Sequence, residues 1–227
     1  MPLIIAIDGP SGSGKSTLGR MLARALNLIY VDTGSMYRAV ALGVINASIS
    51  PADTEAVTRL AESLEIDLAG DPDSLNVFLN GRDVTELIRT EEVTLMSSIV
   101  SAIPGVRRAM VALQRQIGLR GAVLNGRDIG TVVFPDANFK FFLTASATER
   151  ANRRYKEDVS KNSQVSLAAT LADMTERDLR DSTRADSPLK IASDAIVVDS
   201  SGITIDEVFE LMMATITNNV DGGRDVS

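Results

Sequence analysis

Neither cysteine nor histidine occurs anywhere in the 227 residues. Without cysteine there are no disulfides, thiol nucleophiles or thiolate metal sites, which fits a reducing, cytoplasmic setting. Without histidine there is no imidazole base or ligand, which removes most hydrolase triads and zinc sites. Catalysis is left to carboxylates, lysine, arginine, hydroxyls, backbone amides or a borrowed metal. No apolar run approaches the roughly 20 residues that span a bilayer. Pro2 to Ile7 is too short, and too soon interrupted by Asp8, for a signal peptide. No membrane association is expected. A formal net charge of −7 argues against a nucleic-acid binder, which needs a basic surface. Lysine is scarce: 18 of the 23 basic residues are arginine, whose planar fork suits phosphate or carboxylate, although genome composition produces the same bias.

What is present is an alternation of short apolar runs and helical patterns. "LIIAI" (3–7) ends at a glycine-rich turn, as a buried parallel strand does. Leu18, Met21, Leu22, Ala25 and Leu26 then mark one stripe of an amphipathic helix. "LIYV" (28–31), "AVLN" (122–125), "KFFL" (140–143) and "AIVV" (195–198) predict further strands, and 35–47 predicts a second helix. This order argues for a parallel sheet covered on both faces. Between about 64 and 90 the rhythm breaks. "EIDLAG", "LNVFLN" and "RDVTELI" alternate around Gly70-Asp71-Pro72 and the hairpin signal Asn80-Gly81, predicting an inserted antiparallel piece. Helices near 91–102 and 104–118 follow, the second opened by Pro104. The last residues, from 217, read as a frayed tail.

Gly9-Pro10-Ser11-Gly12-Ser13-Gly14-Lys15-Ser16 matches the P-loop pattern, and it sits where that pattern must, between a predicted strand and a helix. Glycines let the backbone turn its N–H groups onto phosphate oxygens, and the following helix adds its positive end. Lys15 is expected to reach the β and γ phosphates, and Ser16 to offer a hydroxyl to Mg²⁺. A guanine-reading N-K-x-D motif is absent, "DTGS" misses the D-x-x-G spacing of switches, and no apolar run ends in Asp-Glu.

A second set of charged residues falls where a second substrate would lie. Thr33 and Arg38 follow one predicted strand, Arg127 and Asp128 another, and such strand ends line the ligand crevice of a parallel sheet. Arg177, Asp181 and Arg184 share one helical face if the helix persists, and a solvated, salt-bridged helix gives the same pattern. Arg150, Arg153 and Arg154 pose the same choice. Transfer between two anions needs positioning and neutralisation more than it needs a base.

The segments "IDGPSGSGKST", "DTGSMYR", "LNGRDIGTVVFPDA", "RDLRDSTRADSPL" and "AIVVDSS" together closely resemble the bacterial cytidylate kinases, from about residue 3 to 216. One departure is Lys15-Ser16-Thr17, where many relatives have Lys-Gly-Thr. The resemblance implies ATP-dependent phosphorylation of CMP and dCMP, with Mg²⁺; a monomer is expected because the sequence shows no exposed apolar stripe or heptad seam. It implies an α/β P-loop NMP-kinase fold: a five-stranded parallel sheet flanked by helices, an inserted NMP-binding subdomain and a short lid. The core would comprise about 1–38, 105–150 and 177–216, the insert 39–104, the lid 151–176 and the tail 217–227. ATP would take residues 9 to 17, with Lys15, Arg127 and Arg184 acting on the transferred group. Thr33, Arg38, Arg127 and Arg184 would meet the CMP phosphate. Ser98, Arg107 and Asp128 would meet the cytosine, and Arg177 and Asp181 the ribose. Arg150, Arg153 and Arg154 are the lid candidates for ATP. Rival acceptors at this stage are UMP, shikimate or dephospho-coenzyme A, and the rival class is a nucleotide switch.

Overall fold

The computed structural model describes residues 2–160 and 165–222; residues 161–164 of the expected lid and 223–227 of the expected tail lie outside them. The chain opens with β1 (Ile4–Asp8), α1 (Lys15–Ala25), β2 (Ile29–Asp32) and α2 (Thr33–Asn46). Next come α3 (Thr54–Ser63) and three short strands, β3 (Ile66–Ala69), β4 (Asn76–Leu79) and β5 (Arg82–Asp83). A single turn at Leu87–Arg89 leads into α4 (Glu91–Val100) and α5 (Pro104–Gly118). The chain returns through β6 (Ala122–Gly126), a π-helical turn (Ile129–Val133) and β7 (Phe139–Thr144). It ends with α6 (Ala147–Ser160), α7 (Leu167–Thr183), β8 (Ile196–Asp199) and α8 (Ile205–Gly222).

Strands β2-β6-β1-β7-β8 form one five-stranded sheet, parallel throughout. Its central strand is buried on both sides, which is why its sequence is a continuous apolar run. Ile5 and Ile7 face α1 and α8, in a cluster with Leu18, Leu22 and Phe141. Ala6 faces the opposite layer, with Val31, Met36, Leu124 and Val106. That layer continues without a break into Val57, Val77 and Leu79, so the antiparallel piece shares its core with the parallel sheet.

Strands β3-β4-β5 are antiparallel, as the alternation predicts. Asn80 (φ 50) and Gly81 (φ 76) are the two left-handed residues that a tight hairpin needs. Two expectations need correction. "RDVTELI" leaves the sheet after Asp83 and becomes a turn, since Thr85 uses its hydroxyl on the Val77 amide instead of extending the strand. At the other end, α8 carries on to Gly222, into the segment expected as tail. Among the described residues no helix is long and apolar enough to cross a membrane.

Candidate active site

At the carboxyl ends of β1, β2 and β6 the sheet opens into a cleft of about 700 Å³. The first wall is the loop between β1 and α1. Gly9 (φ 147) brings it so close to β7 that a Cβ would lie 2.1 Å from the Leu143 carbonyl oxygen. Gly14 (φ 93) turns it into α1. Ser11, Gly12, Gly14, Lys15, Ser16 and Thr17 line the cleft, while Gly9, Pro10 and Ser13 shape the loop behind them. Lys15 is buried, and its Nζ donates to the Pro10 carbonyl at 2.5 Å and to Ser13 Oγ at 3.3 Å. Burial, and then the facing guanidinium groups of Arg127 and Arg177, hold its pKa well below the usual lysine value.

The second wall comes from α2, α4, α5 and the corner after β6. Asp32 caps α2, accepting from the Gly34 amide at 3.1 Å and from Arg38 Nη2 at 3.2 Å. Thr33 Oγ1 donates to the Asn125 carbonyl at 2.8 Å, tying β2 to β6. Arg107, 2% exposed, forms an ion pair with Asp128, donates to the Ser101 carbonyl and lies 5.5 Å from the Tyr37 ring centre. Burial pushes the Tyr37 hydroxyl up to about 12, so it stays protonated. Arg127 Nε donates to Asp181 at 2.7 Å.

The helix through Arg177, Asp181 and Arg184 does not persist to its last member. It ends at Thr183, and Arg184 (φ −59, ψ 143) caps it in an extended conformation, held by Nε on the Ser187 carbonyl at 2.7 Å. Arg184 nevertheless reaches the cleft, 3.5 Å from Asp181 and 3.9 Å from Asp128. Burial, then Arg127, lowers the Arg177 pKa to about 10.

The three lid arginines separate. Arg150 turns inward to the Ala145 and Ser11 carbonyls and to Asp178, and is not part of the cleft wall. Arg153 lines the cleft and holds Ser200 Oγ at 2.9 Å and its carbonyl at 2.6 Å. Arg154 also lines it, paired with Asp158 at 3.1 Å. Ser98 is half-buried beside the cleft, whose wall on that side carries Ser97 and Ser101 instead.

Some wall residues escaped the sequence reading. Tyr37 lies inside "DTGSMYR", where only Thr33 and Arg38 were singled out. Asn125 stands inside "LNGRDIG" but was given no role there; its Nδ2 donates to Ser16 Oγ at 3.2 Å while its buried Oδ1 has no hydrogen-bond partner among the described residues. Ser200, Ile203 and Ile205 close the far end beside Arg153, on a turn with only apolar and small residues to announce it.

Nine lysine and arginine side chains line the cleft against four carboxylates, in a chain whose net charge is −7. Buried Arg38 Nε, Arg107 Nε and Arg184 Nη2 find no hydrogen-bond acceptor among the described residues. An arrangement of that kind is suited to two anionic, acceptor-rich ligands meeting at its centre.

Known proteins are similar in sequence to this chain over almost all of its length. The family model described as cytidylate kinase matches residues 5–218. The cytidylate kinase of Geobacter sp. (strain M21) is 48% identical over 97% of this chain and 95% of its own. That of Corynebacterium glutamicum is 51% identical over 92% of this chain and 91% of its own. Among solved structures, an uncharacterised protein from Eubacterium ventriosum shares the fold, with a TM-score of 0.54 at 12% identity, covering 95% of this chain and 98% of that one.

Proposed function

The chain belongs to the cytidylate kinase family and phosphorylates CMP and dCMP with ATP, and on that premise we propose how the cleft divides the work. The observation that carries the division is the cationic excess of the cleft, which has a loop of backbone amides on one wall and an arginine–carboxylate mosaic on the other.

The triphosphate of ATP takes the loop of residues 9 to 17. Its γ-phosphate would draw the Lys15 ammonium off the Pro10 carbonyl and restore the charge that burial opposes. The adenine end runs toward Ile203, Ile205 and Arg153, where apolar and cationic surface lie together. Residues that fit Mg²⁺ are present: the exposed Ser16 hydroxyl, beside the orphaned Asn125 Oδ1. No cluster of three or more carboxylates occurs among the described residues, so the ion would be shared mainly with ATP oxygens. Mg²⁺ bound there would supply neutralisation of the phosphate charge.

CMP takes the opposite wall. Its phosphate meets Arg38, Arg127 and Arg184 near Thr33, its ribose meets Arg177 and Asp181, and its base meets Asp128 and Arg107, with Tyr37 and the serines of α4, Ser98 included, around it. An acceptor phosphate oxygen is already a nucleophile, so no strong base is required. The protein supplies alignment and neutralisation. Closure of the insert (39–104) and lid (151–176) over the cleft would exclude water, which otherwise competes as acceptor.

A coupled assay of ADP release tests this division of the cleft. CMP and dCMP should turn over well above a blank lacking acceptor, AMP and shikimate should not, and UMP should fall between. Turnover that was indifferent to the acceptor would overturn the two-wall reading.

A further inference from the structure

Asp8 ends β1 one residue ahead of the phosphate loop, yet its side chain serves the other wall. Oδ1 accepts from the Ile129 amide at 2.8 Å and Oδ2 from the Gly130 amide at 2.7 Å. In the β1–β6 ladder Asp8 stands opposite Gly126, the last residue of β6. The carboxylate therefore continues the pairing past the end of the strands. The two amides it takes open the π-helical turn, and the first N–H groups of a helical turn have no partner within it. Directly before them stand Arg127 and Asp128.

No other acceptor type does this as well. Two equivalent oxygens satisfy two donors at once, whereas an amide offers one oxygen and turns its own N–H toward the second donor. The arrangement is also costly. Asp8 is 5% exposed and forms no salt bridge among the described residues. The charged groups that face it are Lys15 from α1 and Asp128 from the corner. From β7 only the aliphatic stem of Lys140 packs against Gly130; the Lys140 ammonium is engaged by Asp194 and the Pro135 carbonyl. A buried carboxylate kept at such a cost is expected to have a task.

We infer that Asp8 is a positioning residue for the acceptor: its charged carboxylate holds the Arg127–Asp128 corner in register with the phosphate loop, so that CMP binding depends on it and ATP binding does not. The inference rests on the placement of CMP against Arg127 and Asp128. Protonation would leave one oxygen as a hydroxyl facing an amide and loosen the corner. Burial raises the Asp8 pKa to about 6, and the chain has no histidine to titrate in the same range.

The test is calorimetric titration of the wild type and Asp8→Asn with CMP alone and with ATP alone, from pH 5 to 8. At pH 7.5 the variant should lose CMP affinity by about tenfold, the worth of one hydrogen bond to a charged group, and ATP affinity by less than about twofold. As the pH falls through about 6, the wild type should approach the variant. The CMP phosphate titrates there too, but equally for both proteins, so the ratio reports Asp8. Equal loss of both ligands, as a merely structural role predicts, or a ratio independent of pH, overturns the inference. If Asp8→Asn does not fold, the wild type is titrated with cytidine 5′-sulfate, whose charge is constant over this range. Affinity that falls below pH 6 supports the inference, and a flat profile overturns it. Asp128→Ala, run alongside, separates the premises: if it keeps CMP, the acceptor placement fails, and if it loses CMP while Asp8→Asn does not, the role of Asp8 alone fails.

Discussion

Arg107 and Asp128 show what single residues are asked to do in this cleft. Arg107 is 2% exposed and Asp128 5%, so neither charge is solvated. A buried ion pair of this sort rarely stabilises a fold beyond what well-packed apolar residues would give. Its proposed use is specificity. Asp128 keeps oxygens toward the cleft and Arg107 keeps an unpartnered Nε, so the pair can read a ligand edge bearing both donors and acceptors. Stability and recognition should then separate. Asp128→Ala strands a buried guanidinium and is expected to cost about 3–5 kcal/mol in urea unfolding, along with most CMP turnover. The double replacement Asp128→Leu with Arg107→Met should recover most of that stability and none of the CMP turnover, with the KM for ATP nearly unchanged. Recovery of CMP use in the double variant would remove the pair from base recognition.

Between elements, one tie behind the phosphate loop is one that the sequence pattern hid. Arg150 on α6 bonds Asp178 on α7 at 2.5 Å and the Ser11 carbonyl at 2.9 Å, while Asp178 accepts from the Ser11 amide at 3.2 Å. Both lid-flanking helices are thereby fastened to the phosphate loop. Asp178→Ala should lower ATP affinity about tenfold, the scale of one charge-assisted hydrogen bond, and raise amide exchange in α6 and α7 ahead of the sheet. Unchanged exchange in those helices would refute the tie. Local signals carried the rest of the architecture well. Pro104 and Gly118 bound α5 where the pattern put them, because helix starts, glycine turns and buried strands are written in neighbouring residues. The π-helical turn in "DIGTVV" was not legible, since its conformation depends on Asp8, 121 residues away. Arg150, Arg153 and Arg154 could not be told apart for the same reason: spacing fixes a helix face, and only packing decides which face meets the loop. The phosphate loop was legible because it must join a strand end to a helix start, and the arginines singled out at 38, 127, 177 and 184 do line the cleft.

Over the whole molecule, function and stability pull the same group in opposite directions. The cleft gathers cations inside an acidic protein, and Asp8 adds a carboxylate buried with no salt bridge among the described residues. The Asp8 pKa is raised from 3.8 to about 6, so between those values the folded state holds a proton that the unfolded chain has released. Its contribution to stability therefore falls as pH rises through this window, and the full penalty stands above about 6. At neutral pH the enzyme keeps the charged form that aligns the acceptor wall, at the expense of fold stability. Asp8→Asn carries no such charge, so the difference between the two proteins isolates the effect from other titrating carboxylates. Between pH 7.5 and 4.5, urea unfolding should shift in favour of the wild type, relative to Asp8→Asn, by about 2 kcal/mol. Over the same interval wild-type CMP affinity should decline toward that of the variant. A stability difference that stayed constant with pH would mean that Asp8 is not charged at neutral pH, or is charged without strain. In either case the link between the phosphate loop and the acceptor wall would have to be sought in another residue.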